Sequence, residues 1–596
     1  MRDYGYSEKG QQGSLSDFHL WKRILQFSAP YWLGLTFAVC ISILITWATL
    51  TLPYLVQTAI DNYITASLIS TDERIAGLTR TTMLYGFLIF GVFLASFCQI
   101  LVLEWVGQSV MHTVRQRLFH HLLHLDLVFF NSNPTGRLVT RLTNDIQNMN
   151  EMFTSVIVTL FNDLLRLAGI LVLLFWMNPR LAAVLSLFVP LALLITIFFA
   201  RLARERFRAI RTQLAKLNSF LSETLSGISI IQLFGRQETN RLTFEDLSEG
   251  YLQKTLRQIK LFGTFMPLTE FMSSAAIAVI LWYGGGEVLQ QRLTLGELVA
   301  FISYMRLFFQ PLRELAQKYS VVQSAMASAE RIFQLLDTKS VITQPSQPAR
   351  LKKTEGKLEF DNLCFGYEKN SPILRNVSLS LFPGQTVALV GTTGSGKTTI
   401  VNLLLRFYDP QAGTIRIDDT DIGTLDLQEL RTIVGVILQD VFILQDTLFA
   451  NIVMDTGCSR EQIQAILDQT GMNRFVDRLP SGLDTIIGDG GMELSTGEKQ
   501  LLSFARVLCR NPAILVLDEA TAAIDTESEN ILEQAIADSF KGRTSLVIAH
   551  RLSTIKRADH IVVMAHGKII EQGSHEELLK RDGHYALLVA MDLQNE

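Results

Sequence analysis

Gly391-Thr392-Thr393-Gly394-Ser395-Gly396-Lys397-Thr398 is the stretch that decides how the C-terminal part of this chain folds. It follows an apolar run, Thr386–Val390, that reads as a buried strand, and it precedes Thr399–Arg406, which reads as a helix. Strand, glycine-rich turn and helix in that order are what a phosphate-binding loop requires. The glycines let backbone N–H groups turn inward around a β-phosphate, and the helix N-terminus adds its positive dipole. Lys397 then reaches the β- and γ-phosphates, while Thr398 offers a hydroxyl to Mg²⁺. Gly391 through Thr398, together with Thr399, are therefore candidate nucleotide contacts. The pattern alone recurs by chance in long chains; the flanking strand and helix give it meaning.

A second apolar run, Ala513–Leu517, ends in Asp518-Glu519. Five apolar residues in a row suit a strand buried on both faces. Open α/β sheets bind ligands at the C-terminal ends of their strands, so Asp518 is placed to hold Mg²⁺ through water. Glu519 is one peptide further on, in reach of a γ-phosphate and an attacking water.

At 596 residues the chain exceeds one ordinary core, since domains run to roughly 100–200 residues. Only 18% of residues are charged and 48% are hydrophobic, against about 25% charged in soluble proteins. The imbalance sits in the first half. A helix needs about 20 mostly apolar residues to cross a bilayer, and six segments qualify: Leu33–Leu52, Met83–Leu103, Phe153–Met177, Leu181–Ala200, Leu261–Tyr283 and Leu295–Leu315.

Orientation follows from the loops. Residues 105–152 hold 4 Lys and Arg and residues 201–260 hold 11, while the opposite loops hold only Arg74, Arg80, Arg180 and Arg292. The basic loops, and with them both termini, are expected in the cytoplasm. Both loops keep a helical rhythm, as in Val110–Leu125 and Leu214–Phe234, so the membrane helices are expected to continue into the cytosol. Thr338–Lys352 is polar, carries Pro345 and Pro348, and reads as a linker.

Glu104, Asp163, Arg166 and Glu270 fall in or near the spans. Intramembrane charge is costly and by default marks a cavity or a partner. Asp163 and Arg166 lie three apart on one helical face, so the plain expectation is that they pair with each other. The five cysteines form no CxxC and read as small apolar fillers rather than a metal site. A net charge of −4 gives no reason to expect nucleic acid as a partner.

Leu494-Ser495-Thr496-Gly497-Glu498, upstream of the Asp518-Glu519 strand, resembles the signature sequence of ATP-binding cassette (ABC) proteins. The remaining motifs fall into order around it. Tyr367 resembles the aromatic residue that stacks on adenine, and Gln439 the glutamine whose loop touches the membrane domain. Asp525 resembles the D-loop aspartate and His550 the switch histidine. Phe129–Arg137 and Glu223–Glu238 look like the two intracellular loops of type IV exporters, and Asp17–Pro30 like their elbow helix. Leu501–Arg506 and Glu297–Tyr304 resemble the second subunit of bacterial multidrug-resistance-like heterodimeric exporters.

The resemblance implies a multidomain chain. A polar segment (1–16) leads into an all-α six-helix transmembrane domain (17–337), a linker (338–355) and an α/β P-loop nucleotide-binding domain (356–596). It implies ATP and Mg²⁺ as cofactors, with Thr398, Gln439 and Asp518 on the metal and Glu519, His550 and Gln439 catalytic. Ser495 and Gly497 of one chain would close over ATP held by the other, so a second half-transporter is required. The usual signature reads Leu-Ser-Gly-Gly-Gln; Thr496 and Glu498 depart from it, and Glu498 adds negative charge near a site built for a polyanion. An altered signature beside an intact P-loop, Asp518, Glu519 and His550 favours a heterodimer over a homodimer.

The function so implied is ATP-hydrolysing export out of the cytoplasm by alternating access, in a bacterial plasma (inner) membrane, with an amphipathic small molecule, lipid or peptide as cargo and membrane lipids as further partners. A lipid flippase of the same fold and an ATP-gated channel share these parts. A soluble cassette ATPase does not, because of the six spans.

Overall fold

A computed structural model describes residues 18–66, 70–152, 154, 158–345, 347–351, 354–368, 371–454, 456–488, 490–518, 526–549 and 552–592. The chain divides into two compact units. One holds the described residues up to His124 and Asn133–Thr338; the other holds Leu125–Ser132 and everything described from Lys339 onward.

The first unit is helical. A short amphipathic helix, α1 (Phe18–Ser28), buries Leu20 and Ile24. Arg23 grips Asp337 with two hydrogen bonds, at 2.5 and 2.8 Å, and lies over the Phe333 ring. There follow α2 (Trp32–Ala59), α3 (Thr71–Leu123) and, after a tip that belongs to the other unit (α4, Leu127–Ser132), α5 (Thr135–Thr140) and α6 (Ile146–Glu151). Then come α7 (Val158–Met177), α8 (Pro179–Ser186), α9 (Phe188–Ser226), α10 (Ile228–Leu233), α11 (Gln237–Val279), α12 (Gly285–Leu289) and α13 (Leu295–Asp337).

Among the described residues, five helical stretches are long and apolar enough to cross a membrane: Phe18–Ile64, Thr71–Leu123, Val158–Met177, Pro179–Ser226 and Gln237–Leu289. The sixth expected span, Leu295–Leu315, lies on α13. The 53 residues of α3 make a rod about 80 Å long at about 1.5 Å per residue, against about 30 Å of hydrocarbon. That length continues well past a bilayer, as the rhythm of the basic loops predicts. α3 exposes Phe87, Phe90, Phe93 and Phe97, an apolar surface of the kind that meets a membrane or a protein partner rather than water.

Local chemistry sets the joints. Asn178 caps α8 by accepting the Leu181 N–H, with Pro179 at the first helical position. Thr294 and Glu297 form a capping box at the start of α13. Asp61, two residues past α2, accepts from Thr294 Oγ1 (2.6 Å) and from the Gly296 N–H (2.8 Å), placing a carboxylate where the α13 dipole favours it. Tyr304 is fully buried and donates to the Leu50 carbonyl at 2.7 Å, tying α13 to α2.

One expectation is corrected here. Asp163 does not pair with Arg166; it accepts from Lys318 Nζ at 2.6 Å, with both side chains nearly buried. The partner lies 155 residues away, so three-residue spacing along α7 gave no sign of it. Arg166 keeps its Nε buried with no hydrogen-bond partner.

The second unit is α/β. A six-stranded sheet runs β12-β11-β3-β10-β9-β6, from β3 (Thr386–Gly391), β6 (Val434–Ile437), β9 (Ile514–Asp518), β10 (Thr544–Ile548), β11 (His560–Ala565) and β12 (Lys568–Gly573). All its pairings are parallel except that of β12 with β11. An antiparallel sheet, β2-β1-β4-β5, comprises β1 (Leu358–Phe365), β2 (Leu374–Leu381), β4 (Ala412–Ile417) and β5 (Thr420–Asp421). A short pair, β7 (Asp446–Thr447) and β8 (Ile486–Ile487), stands apart. The parallel strands are buried on both faces, which is why they read as unbroken apolar runs.

Candidate functional site

The site is built at the C-terminal ends of the parallel strands. β3 delivers the loop Gly391–Gly396 into α14 (Lys397–Leu404). The helix begins two residues earlier than the sequence predicts because Gly396, at φ 106°, makes the turn into it. A Cβ at Gly396 would also lie 2.6 Å from Leu374. A Cβ on Gly391 would meet the Met564 carbonyl oxygen at 2.2 Å, so no larger residue fits where the strand opens into the loop.

Lys397 is buried, and its Nζ donates to the carbonyls of Gly391 (2.6 Å) and Thr392 (3.2 Å). Burial holds its pKa below the usual lysine value, opposed by the negative charge of Asp518 at the end of β9. The lysine of the loop and the carboxylate two strands away therefore feel each other. Ser395 Oγ is buried without a hydrogen-bond partner, in a loop whose residues Thr392, Thr393 and Gly394 are exposed. A buried cation and an orphaned hydroxyl in an exposed turn fit a phosphate chain. Thr399 is buried inside α14, whereas Thr398 is exposed.

Gln439 is exposed, two residues past β6, which pairs with β9. No cluster of three His, Cys, Asp or Glu occurs among the described residues. Thr398, Gln439 and Asp518 are the oxygen donors that sequence reading offers to Mg²⁺, a cation that takes one or two protein oxygens and completes its shell with phosphate and water. Glu519, Asp525 and His550 lie outside the described residues.

Tyr367 sits just past β1, half-buried, with its hydroxyl accepting from Asn402 Nδ2 at 3.1 Å. Its ring stands edge-on to Phe365 (5.1 Å) and Tyr408 (5.0 Å).

The signature forms the N-terminus of a helix, Thr496–Cys509, capped by Ser495. Ser495 Oγ accepts the Glu498 N–H and Glu498 Oε2 accepts the Ser495 N–H, a reciprocal capping box. The glutamate expected only to add charge near the phosphates has a structural partner of its own. Ser495 still has its O–H to donate, and Gly497 is buried.

Sequence reading missed Arg506, which was only a point of family likeness. Its guanidinium donates to the carbonyls of Asn451 and Phe442 (2.6 Å each) and to Asn451 Oδ1 (2.7 Å). Asn451 in turn exchanges two hydrogen bonds with the Leu444 backbone. The segment that follows Gln439 is thereby stapled to the signature helix. A lone arginine on an otherwise buried helix face was the available signal.

A family model described as the ABC transporter transmembrane region matches residues 35–312, and one described as ABC transporter matches residues 374–522. An ATP-dependent lipid A-core flippase of Desulfotalea psychrophila is 34% identical over 96% of this chain and 99% of its own. A fatty acid ABC transporter ATP-binding/permease protein of Mycobacterium tuberculosis is 37% identical over 86% of this chain and 81% of its own. The solved structure of a bacterial Atm1-family ABC exporter with ATP bound superposes with a TM-score of 0.79 at 28% identity, covering 94% of this chain and 98% of the other.

Proposed function

The chain belongs to the ABC transporter family, as an exporter half-transporter with a multi-pass membrane domain and a cytoplasmic ATPase, and we propose that it works paired with a different half-transporter. ATP hydrolysis drives the movement of hydrophobic or amphipathic compounds through the helical unit. The observation that carries the two-chain reading is that the sequence holds one phosphate-binding loop, Gly391–Thr398, and one signature, Leu494–Glu498. On this reading each complete site takes the loop of one chain and the signature of the other.

Within that site Gly391–Thr399 cradle the phosphates and Tyr367 carries the base. Thr398, Gln439 and Asp518 would hold Mg²⁺, whose charge neutralises the phosphate oxygens when it is bound. Glu519 orients the attacking water, assisted by His550. Ser495, Gly497 and Asp525 face the partner's nucleotide.

Exposed apolar surface supports a partner. The tip of the second loop presents Leu225, Ile230, Leu233 and Phe234, each more than 60% exposed, and such a cluster in water is a docking surface. The preference for a heterodimer rests on Thr496 and Glu498, which leave this chain with intact catalytic residues and an altered signature. The relatives named for lipid A-core and for fatty acid support an amphipathic cargo, and a bacterial inner membrane is the setting that suits both.

Expressing the chain alone tests the pairing. ATP hydrolysis that appears only when a second half-transporter is added supports the heterodimer. Robust hydrolysis by the purified homodimer refutes it.

A further inference from the structure

The first loop tip, α4, is part of the nucleotide unit, held there by hydrogen bonds and by apolar packing. Asp126 Oδ2 accepts from Ser340 Oγ (2.9 Å) and from the backbone N–H groups of Val341 and Ile342, fixing the tip to the start of the nucleotide half. Val128 is buried in the same core as Leu389, Ile400, Val401 and Leu404, the residues behind the phosphate-binding loop. Asn131 adds a polar contact of its own: its Nδ2 donates to the hydroxyl of Tyr408 at 2.8 Å.

Tyr408 is buried, and burial raises its pKa above the usual tyrosine value, so the hydroxyl stays protonated at neutral pH. Its ring stands at 81° to that of Tyr367, with centroids 5.0 Å apart, and Phe365 closes the cluster at 5.5 Å from Tyr408. Asn402, on the helix that begins at Lys397, holds the Tyr367 hydroxyl from another side. The ring assigned to the base is thus packed between two residues of the segment that carries the phosphate loop, and one of them touches the loop tip.

We propose that Tyr408 is a positioning residue that links the base-stacking ring of Tyr367 to the first loop tip through Asn131, so that the tip responds to the nucleotide base as well as to its phosphates. A base stacked on Tyr367 restricts that ring. An edge-to-face pair has a narrow preferred geometry, so Tyr408 is restricted with it and its hydroxyl is held in register with Asn131. Asp126 keeps the tip docked whether or not nucleotide is bound. The inference rests on the reading of Tyr367 as the base platform.

Hydrogen exchange on the full-length transporter in nanodiscs, followed by mass spectrometry with and without Mg-ATP, tests it. In the wild type, ATP slows amide exchange in residues 125–132 and in the loop 391–398. Tyr408→Phe keeps the ring packing and removes the hydroxyl. It should abolish the ATP-dependent slowing at 125–132 while 391–398 remains protected, which shows that nucleotide is bound. Asn131→Ala should do the same, and the double variant should add nothing further. Mg-CTP, whose smaller base stacks less, should protect 391–398 but slow 125–132 less than ATP does. Undiminished ATP-dependent protection of 125–132 in Tyr408→Phe overturns the proposal. Tyr367→Ala tests the underlying reading separately: it should weaken ATP affinity by about 10-fold, within the range of base stacking on an aromatic ring. If that affinity is unchanged, the assignment of Tyr367 to the base fails, whatever Tyr408 does.

Discussion

Ser495 and Glu498 cap one another: the serine hydroxyl accepts the glutamate N–H at 3.3 Å, and the glutamate carboxylate accepts the serine N–H at 2.8 Å. The residue that departs from the family signature therefore stabilises the helix N-terminus that the signature forms. Its negative charge also sits where the helix dipole favours it.

That relationship separates stability from turnover. Glu498→Ala removes half of the reciprocal cap and should cost about 1 kcal/mol, read as a fall of about 2–4 °C in the melting temperature of the nucleotide domain. Glu498→Gln keeps the acceptor and removes the charge, so its melting temperature should stay near wild type. Combined with Thr496→Gly, it should change hydrolysis by less than about 2-fold in the paired transporter if, as proposed, the partner is a different half-transporter and the altered signature faces a weaker site on it. A several-fold rise would point to two signatures of this kind working over competent sites.

Lys318 and Asp163 form a nearly buried ion pair between α13 and α7. Lys318→Met leaves the carboxylate without its cation and should destabilise the membrane unit by about 3–5 kcal/mol. Adding Asp163→Asn should recover most of that loss, since the pair itself is worth far less than an unpaired charge. Thermal unfolding in detergent of the two single variants and the double variant reads the difference. Equal losses in the single and double variants would show that the pair does not act as one unit.

Topology has its own check. Single cysteines at Arg137 and Arg236, in a background lacking the five native cysteines, should resist an impermeant thiol reagent in intact cells, and one at Thr71 should react. Labelling in the reverse pattern would invert the orientation argued from the basic loops.

Much of this was legible in the sequence, for identifiable reasons. The phosphate loop and the strands β3 and β9 are local: a strand buried on both faces must be an apolar run, and the turn after β3 admits only glycine at Gly391 and Gly396. The spans are legible because a bilayer demands their length. What stayed hidden depends on residues far apart in the chain. Lys318 finds Asp163 across 155 positions, Arg506 reaches Phe442 across 64, and Asn131 reaches Tyr408 across 277. No periodicity or spacing rule connects such pairs. The role of Glu498 was local, but the motif comparison set it against a glutamine rather than against the serine three residues before it.

On the reading proposed here the phosphate loop binds ATP and Glu519 works on the attacking water. Steady-state hydrolysis by the purified transporter, measured beside ATP binding in wild type, Lys397→Ala and Glu519→Gln, tests it most directly. Lys397→Ala should lose both binding and turnover, because it removes a charge that meets the phosphates throughout the reaction. Glu519→Gln should keep ATP affinity and lower turnover by about 100-fold or more, the scale of losing a general base. Unchanged hydrolysis in Glu519→Gln, or normal binding and turnover in Lys397→Ala, would contradict the account.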